Sequence, residues 1–282
     1  MHTTVTIDGV PMVVSDSGAG PTVLFVHGVY VTGALWDDTV AALGPDVRCI
    51  VPTWPLGAHR AVDDPAVDLS AAATARRIVH LMEELDLSDV TVVANDTGGG
   101  LVLTALGDPT LDLGRIGRLV LTNCDSYEHF PPGAFRHIVT LCRRSRRLGG
   151  LVLRLLASGK GQAFFLGAVT RTPPSSDRQA KIFGAFATSA ATRREAVTVT
   201  STLDPSLTLG AASAIERFDV PVRLVWGTQD ELFPLSHGQR LESAFPNASL
   251  VEVPSSSTYV MLDAPDVLAG EIRLSAGSTS AC

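Results

Sequence analysis

The sequence predicts an α/β fold: a mostly parallel central sheet flanked by helices, with a block of helices inserted after one of its strands. Three observations lead there. Four short runs, 22–28 (TVLFVHG), 47–54 (VRCIVPTW), 90–96 (VTVVAND) and 118–125 (RLVLTNCD), are apolar almost throughout. Strands of a parallel sheet look like this when helices cover both faces. Helical patterns at 68–87 and 98–108 separate the later runs, as parallel crossovers require. From 126 to about 214 strand character disappears, with Pro173-Pro174 as a break, and it returns at 220–227 and 248–254.

Each element has a local reason. The segments TVTID and PMVVSDSG flank Asp8-Gly9, a turn pair that predicts a hairpin at the edge of the sheet. In 68–87, Ile78, Leu81, Met82 and Leu85 recur at helical spacing behind Ser70, a good N-cap. DAPDVLAGEIRLS is expected to form a closing helix, and 276–282 a frayed tail. The resulting division is a core made of 1–125 and 215–282, interrupted by a helical block over 126–214. There is no internal repeat.

Composition narrows the function. The 282 residues are 45% hydrophobic and 18% charged, with a mean hydropathy of +0.25, enough to fill a sizeable core. A net charge of −7 argues against a nucleic-acid partner, which would demand a basic face. The one basic run, RRSRR at 143–147, is expected on a solvated helix face. Cys49, Cys124, Cys142 and Cys282 have no metal-type spacing. Cys49 and Cys124 fall in or beside apolar runs, where a thiol acts as a small hydrophobe, so a reducing, cytoplasmic setting is expected. The first residues lack the pattern of a secretory signal, and no run reaches the ~18 apolar residues of a membrane span. The expected partner is a small hydrophobic substrate, with no nucleic acid and no membrane. Neither a metal nor an organic cofactor is indicated, and a homodimer is compatible with the composition.

The chemistry centres on Ala94-Asn95-Asp96-Thr97-Gly98-Gly99. Function gathers at the carboxyl ends of parallel strands, and here an apolar strand delivers an aspartate into a turn crowded with small residues. That is the small-x-nucleophile-x-small pattern of a nucleophile elbow. The plainer alternative has Asp96 capping the following helix, but a cap does not need small residues on both sides.

With these motifs the chain resembles the α/β-hydrolase superfamily over nearly its whole length. The stretch 23–36 (VLFVHGVYVTGALW) is similar to the strand and His-Gly loop that supplies one oxyanion donor. The stretch 223–234 (RLVWGTQDELFP) is similar to the strand and loop that carry the catalytic acid. An Asp at the elbow is similar to the haloalkane dehalogenase and epoxide hydrolase branch, in which the carboxylate attacks carbon and a His-activated water hydrolyses the ester. The resemblance implies that Asp96 is the nucleophile, Asp230 the acid and 126–214 a helical cap. It also makes the backbone N–H groups of Val29 and Thr97 the oxyanion hole. His27 is implied to shape its turn. Together with Tyr30, Trp36, Asn95, Tyr127, Phe130 and Tyr259 it is placed along the expected substrate pocket.

The chain departs from the family pattern at one point above all. The family's catalytic His precedes a motif here matched by Tyr259-Val260-Met261 and Asp263-Ala264-Pro265, and its slot falls on Thr258. No histidine lies between 238 and 282. A missing general base costs typically ~10²–10⁴ in rate. Substitutes would be His129, after LTNCDSYE, or His59, in the PLGAH loop, although either can equally be a surface or cap residue. His237 is expected to face solvent from a helix. The dehalogenase's halide-binding Trp after the nucleophile is Thr97 here, and its Asn after the His-Gly pair is Val29, which disfavours dehalogenation. The cap tyrosines of epoxide hydrolases are absent from 128–214, although Tyr30 and Tyr127 lie on loops that could reach the pocket. Asn123 and Asp125 follow a strand at the pocket edge. Asn123 matches a position for a supporting amide or an alternative acid. Asp125 would raise the pKa of Asp96, and Asp96 that of Asp125, if both face one cleft, or it is simply a turn residue.

Three functions follow as expectations. The first is hydrolysis through Asp96 of a hydrophobic metabolite of polyketide or terpenoid size. The second is non-hydrolytic cyclase, isomerase or lyase chemistry with Asp96 as base or anchor. The third is a silent ligand-binding protein.

Overall fold

The computed structural model describes residues 2–62 and 64–277. Eight strands form one sheet: β1 (His2–Ile7), β2 (Val10–Ser17), β3 (Thr22–Val26), β4 (Arg48–Pro52), β5 (Val90–Asp96), β6 (Ile116–Cys124), β7 (Val222–Gly227) and β8 (Ala248–Val253). Their order across the sheet is β1-β2-β4-β3-β5-β6-β7-β8. β1 and β2 pair antiparallel, as do β2 and β4, and every pairing from β4 through β3 to β8 is parallel. The central strands β3, β5 and β6 are buried almost end to end, which accounts for their unbroken apolar runs.

The helices are α1 (Asp37–Leu43), α2 (Ala71–Glu84), α3 (Thr97–Leu106), α4 (Arg136–Arg144), α5 (Arg146–Leu156), α6 (Gly159–Val169), α7 (Ser176–Thr188), α8 (Ala190–Ser201), α9 (Pro205–Gly210), α10 (Ala212–Ile215), α11 (Leu235–Ala244), α12 (Val260–Asp263) and α13 (Pro265–Gly277). Seven of them, α4 to α10, fall between the adjacent strands β6 and β7, so the sheet continues across the inserted block as though uninterrupted. Pro173-Pro174 lies between α6 and α7. The end of the block is less sharp than position 214 implies, because α10 carries the helix on to Ile215. Of the expected tail, Ala276 and Gly277 still belong to α13, and 278–282 lie outside the described residues.

Local signals explain the edges. Asp8 and Gly9 take φ values of 47° and 79°, the left-handed pair that turns β1 into β2. The Ser70 hydroxyl accepts a hydrogen bond from the Ala73 N–H at the start of α2. Ile78, Leu81 and Met82 on that helix are buried in the core. Arg77 on the same helix is also buried. Its guanidinium donates to the carbonyls of Ile7, Asp8 and Asp68 and so ties α2 to the hairpin, a role its sequence context did not suggest. Cys49, Cys124 and Cys142 are buried free thiols. Burial pushes the Cys49 and Cys142 pKa values up to about 11, consistent with packing rather than reactivity.

Asn95 sets the carboxyl end of the sheet. Its Nδ2 donates to Thr122 Oγ1 at 2.7 Å, to the Asn123 carbonyl at 3.1 Å and to the Thr258 carbonyl at 2.8 Å. One buried amide thus holds β5, β6 and the loop after β8 together. The amide nitrogen thus acts as a clamp at a position expected along the pocket, while Oδ1 has no hydrogen-bond partner among the described residues. Asn95→Ala would strand these buried acceptors, and we expect a loss of about 2–3 kcal/mol. Urea unfolding checks this, and an unchanged midpoint would contradict the clamp.

Candidate active site

Asp96 occupies a strained turn. Its φ of 52° and ψ of −134° lie where side chains are rarely found, and Thr97 begins α3 immediately after it. Asp96 makes no side-chain cap bond to α3, which removes the capping alternative. The turn is possible because its surroundings lack side chains. A Cβ on Gly28 would lie 2.0 Å from Asp96 Oδ2, and one on Gly98 would lie 2.6 Å from the carbonyl oxygens of Val26 and His27. The His27-Gly28 loop and the elbow therefore touch backbone to carboxylate.

The electrostatics follow from depth. Asp96 keeps some accessible surface, yet burial raises its pKa to about 7. The carboxylate is thus poorly solvated despite that accessible surface. The Thr97 N–H faces the carboxylate and offsets part of that rise, while the charge of Asp230 adds to it. Among the described residues no hydrogen bond engages the Val29 N–H, whereas the Tyr30 N–H donates to the Leu56 carbonyl. The Val29 N–H, next to Gly28, is thus not spent on a hydrogen bond among the described residues.

Asp125 lies beside Asp96, its own N–H donating to the Asp96 carbonyl at 3.3 Å. It is fully buried and neither carboxyl oxygen has a hydrogen-bond partner among the described residues. Burial first, and the Asp96 charge second, push its pKa well above the usual carboxylate range. The side chain packs where a Cβ on Gly100 would stand, next to Phe130. Asp230 is held rigidly instead. Its Oδ1 accepts from the N–H groups of Leu232 and Phe233, and its Oδ2 accepts from Asn123 Nδ2 at 2.9 Å. Asn123 is fixed in turn by both backbone groups of Gly227. Burial still raises the Asp230 pKa.

Thr258 sits where the sequence places the missing histidine. It is fully buried, near enough to Asp230 to lower its pKa, and its hydroxyl has no hydrogen-bond partner among the described residues. Two tyrosines flank the site, both raised in pKa chiefly by burial. The Asp96 charge is the second cause for Tyr259 and a minor one for Tyr30, where the Thr200 hydrogen bond opposes the rise. The Tyr30 hydroxyl is paired with Thr200 Oγ1 on α8 at 2.7 Å, while that of Tyr259 has no partner among the described residues. The inserted helices cover them with aromatic rings. Phe186 stacks on Tyr30, and Phe165 contacts Tyr259, Phe135 and Phe183.

Other expected residues are placed elsewhere. His59 Nε2 lies 3.0 Å from Glu195 Oε2 on α8, and its Nδ1 accepts from the Gly57 N–H. It braces a loop against the insertion. His129 is partly exposed, lies 3.5 Å from Glu128 and stacks on His237. His237 is half-buried and not solvent-facing as expected, and burial lowers its pKa to about 4. The Tyr127 ring lies under the Arg240 guanidinium, 3.8 Å away, and so is engaged toward α11. Trp36 packs against Phe25 in the core. His27 Nε2 accepts from the Trp54 N–H, leaving Nδ1–H to donate to the Gly28 carbonyl, and burial holds its pKa near 4. A neutral ring used at both nitrogens shapes the loop and is not free to bind a guest. Sequence reasoning missed Asp263 as a knot between the insertion and the post-β8 loop. It accepts from Thr170, Arg171, Thr172, Ser256 and Ser257, and only the folded chain brings these together.

Two predictions follow from this geometry. An acid whose pKa is 3.8 unfolded and about 7 folded stabilises the fold only while protonated, and that contribution is lost as pH rises through about 7. Asp96→Asn should therefore raise the melting temperature at pH 8, with the gap closing toward pH 4. A constant gap would contradict the raised pKa. Gly28→Ala should displace the Asp96 carboxylate and reduce any Asp96-dependent turnover by at least ~10². Circular dichroism should show the fold retained, and normal turnover in that variant would exclude the close approach as a requirement.

The family model of the alpha/beta hydrolase family matches residues 23–271. Haloalkane dehalogenase 2 of Mycobacterium tuberculosis is 26% identical over 272 residues, covering 91% of this chain and 88% of that protein. The cis-3-alkyl-4-alkyloxetan-2-one decarboxylase of Shewanella oneidensis is 26% identical over 269 residues, covering 92% of this chain and 82% of that one. Among solved structures, an alpha/beta hydrolase fold protein from Burkholderia ambifaria superposes with a TM-score of 0.81 at 23% identity, covering 96% of each chain. With the strand order, the elbow and a family match spanning most of its length, the chain belongs to the alpha/beta hydrolase family.

Proposed function

We propose that the protein is an enzyme acting on a small-to-medium hydrophobic metabolite, with Asp96 as its nucleophile. The observation that carries this reading is the Asp96 carboxylate itself: strained, pressed against Gly28, beside a backbone donor and still partly accessible. We take the space beside it to be the substrate chamber. In the proposed step a carboxylate oxygen bonds to an electrophilic carbon, as in an epoxide or an activated ester. The C–O bond breaks, and the leaving oxygen takes a proton. The protons available nearby are those of Asp125, kept neutral by burial, and of the unpaired Tyr259 hydroxyl. This leaves an Asp96 ester from an epoxide, or an Asp96 anhydride from an activated ester. Water would then add to the Asp96 acyl carbon, with the Val29 and Thr97 N–H groups holding the developing oxyanion. The bond from that carbon to the guest oxygen breaks, the guest leaves with a proton from the water, and Asp96 is restored. The helices of 126–214 act as the cap over this chamber. Dehalogenation fits poorly. Trp54 donates its indole N–H to the Phe25 carbonyl and Trp226 to the Phe233 carbonyl, and Trp36 is buried in the core.

One observation favours a second reading. Thr258 faces Asp230 without a histidine between acid and nucleophile, so nothing at the site matches the usual water-activating base. Non-hydrolytic bond breaking needs no such base. The relative named as an oxetanone decarboxylase carries, by its name, that kind of activity on a strained ring.

Intact-protein mass after incubation with hydrophobic epoxides and activated esters tests both readings. A lasting adduct on the native protein, absent from Asp96→Asn, is the expected result. Thr258→His should then speed its loss by at least ~10-fold, at the low end of what a general base contributes. An adduct that survives in Asp96→Asn would remove the nucleophile. Release of a product that has not gained the elements of water, such as an alkene or a rearranged ring, would favour the non-hydrolytic reading.

A further inference from the structure

We propose that the inserted block docks on anionic phospholipid membranes through α5 and its neighbours. The expectation of no membrane partner rested on net charge and on the absence of a spanning segment, and neither bears on a surface contact. No helix among the described residues is long and apolar enough to cross a membrane. The charge is nevertheless unevenly placed. In a chain of net charge −7, the stretch from His129 to Ser176 carries seven arginines, one lysine and no carboxylate.

The side chains are arranged to use that charge. Arg146, Arg147 and Arg154 on α5 face Arg193 and Arg194 on α8 across an open groove of about 570 Å³. Arg193 is partly engaged with the Phe186 and Ala187 carbonyls. Arg146, Arg147, Arg154 and Arg194 donate no hydrogen bond among the described residues. Next to the arginines runs an apolar stripe. Leu148, Leu151 and Leu155 lie on one side of α5 by their i, i+3 and i+7 spacing, and they are 52%, 54% and 62% exposed. Arg147 and Arg154 border that stripe on its groove side. On the next helix, Phe164 is 78% exposed one turn after Lys160.

A helix with exposed leucines flanked by guanidinium groups matches the interface of an anionic bilayer, where the apolar face enters the acyl boundary and the cations meet phosphates. A second copy of the chain fits worse, since a two-fold contact through α5 would bring two unneutralised arginine rows together. The inference does not depend on what Asp96 does.

Co-sedimentation with vesicles of three parts phosphatidylcholine to one part phosphatidylglycerol tests it, with pure phosphatidylcholine vesicles as the comparison. The expected result is at least tenfold tighter binding to the anionic vesicles, lost in 0.5 M salt. The pair Arg147→Glu/Arg154→Glu should weaken binding at least tenfold. So should Leu151→Ser/Leu155→Ser, with melting temperature unchanged, because these four side chains face solvent. Equal binding to both vesicle types, no binding, or binding indifferent to both pairs would overturn the proposal. Loss only in the arginine pair, with matching competition by free glycerol phosphate, would overturn it in favour of a soluble anion site. A dimer in light scattering that the leucine pair dissociates would overturn it in favour of self-association.

Discussion

The site rests on one constraint, the distance between two backbones at the carboxyl ends of β3 and β5. These strands are neighbours in the sheet, and the loop leaving β3 must pass directly over the turn leaving β5. There is no room for a methyl group at Gly28 or Gly98, nor at Gly99, where a Cβ would meet the Cys124 side chain of β6 at 2.3 Å. Because the layers close to this distance, α3 starts right under the sheet edge and Asp96 is forced into a left-handed conformation. In that conformation its carboxylate lies against Gly28 and makes no side-chain cap bond to α3. Substituting any one of these glycines would separate the layers, and the two candidate backbone donors would separate with them.

Around that contact the polar groups divide into two kinds. Some fix positions: the Asn95 amide nitrogen joins three segments, Asn123 aligns Asp230, and Asp263 knots the insertion to the last loop. Others near Asp96 are buried with no hydrogen-bond partner among the described residues, including Asn95 Oδ1, both oxygens of Asp125, the Thr258 hydroxyl and the Tyr259 hydroxyl. Buried polar atoms without partners destabilise a fold by about 1–3 kcal/mol each. Several of them gather beside a strained carboxylate, which suits a site better than a core, although Trp36, Thr39, Arg77 and Arg178 also keep unpartnered atoms elsewhere.

Much of this was legible in the chain, and the reason is periodicity and sterics. Buried parallel strands must be apolar, the hairpin needed Asp8-Gly9, and a tight elbow needed small residues around Asp96. Each is a local rule with a local signature. The histidines were not legible in the same way. His59 and His129 stand near the right loops in sequence, but a ring's direction depends on what it meets, and Glu195 and His237 come from distant segments. Tyr127 was drawn toward Arg240 for the same reason. Trp36 follows the His-Gly loop closely, yet the short turn at Gly33–Trp36 sends its ring down onto Phe25. Position along the chain predicts backbone placement well and side-chain partnership poorly.

The gathering of Asp96, Asp125 and Asp230 has a consequence for what can enter. No cation is among the groups that set their pKa values, and all three are raised. A guest brought up to Asp96 would be sorted by charge before it is sorted by shape. A molecule bearing a carboxylate would meet whatever charge Asp96 and Asp230 carry in a poorly solvated place, and would be favoured in its protonated form. Neutral guests, an alcohol, an epoxide or a lactone, face no such barrier. The same field acts on what leaves. A reaction that created a carboxylate inside would expel its own product, whereas one that yields a neutral diol or alkene would rely on diffusion alone.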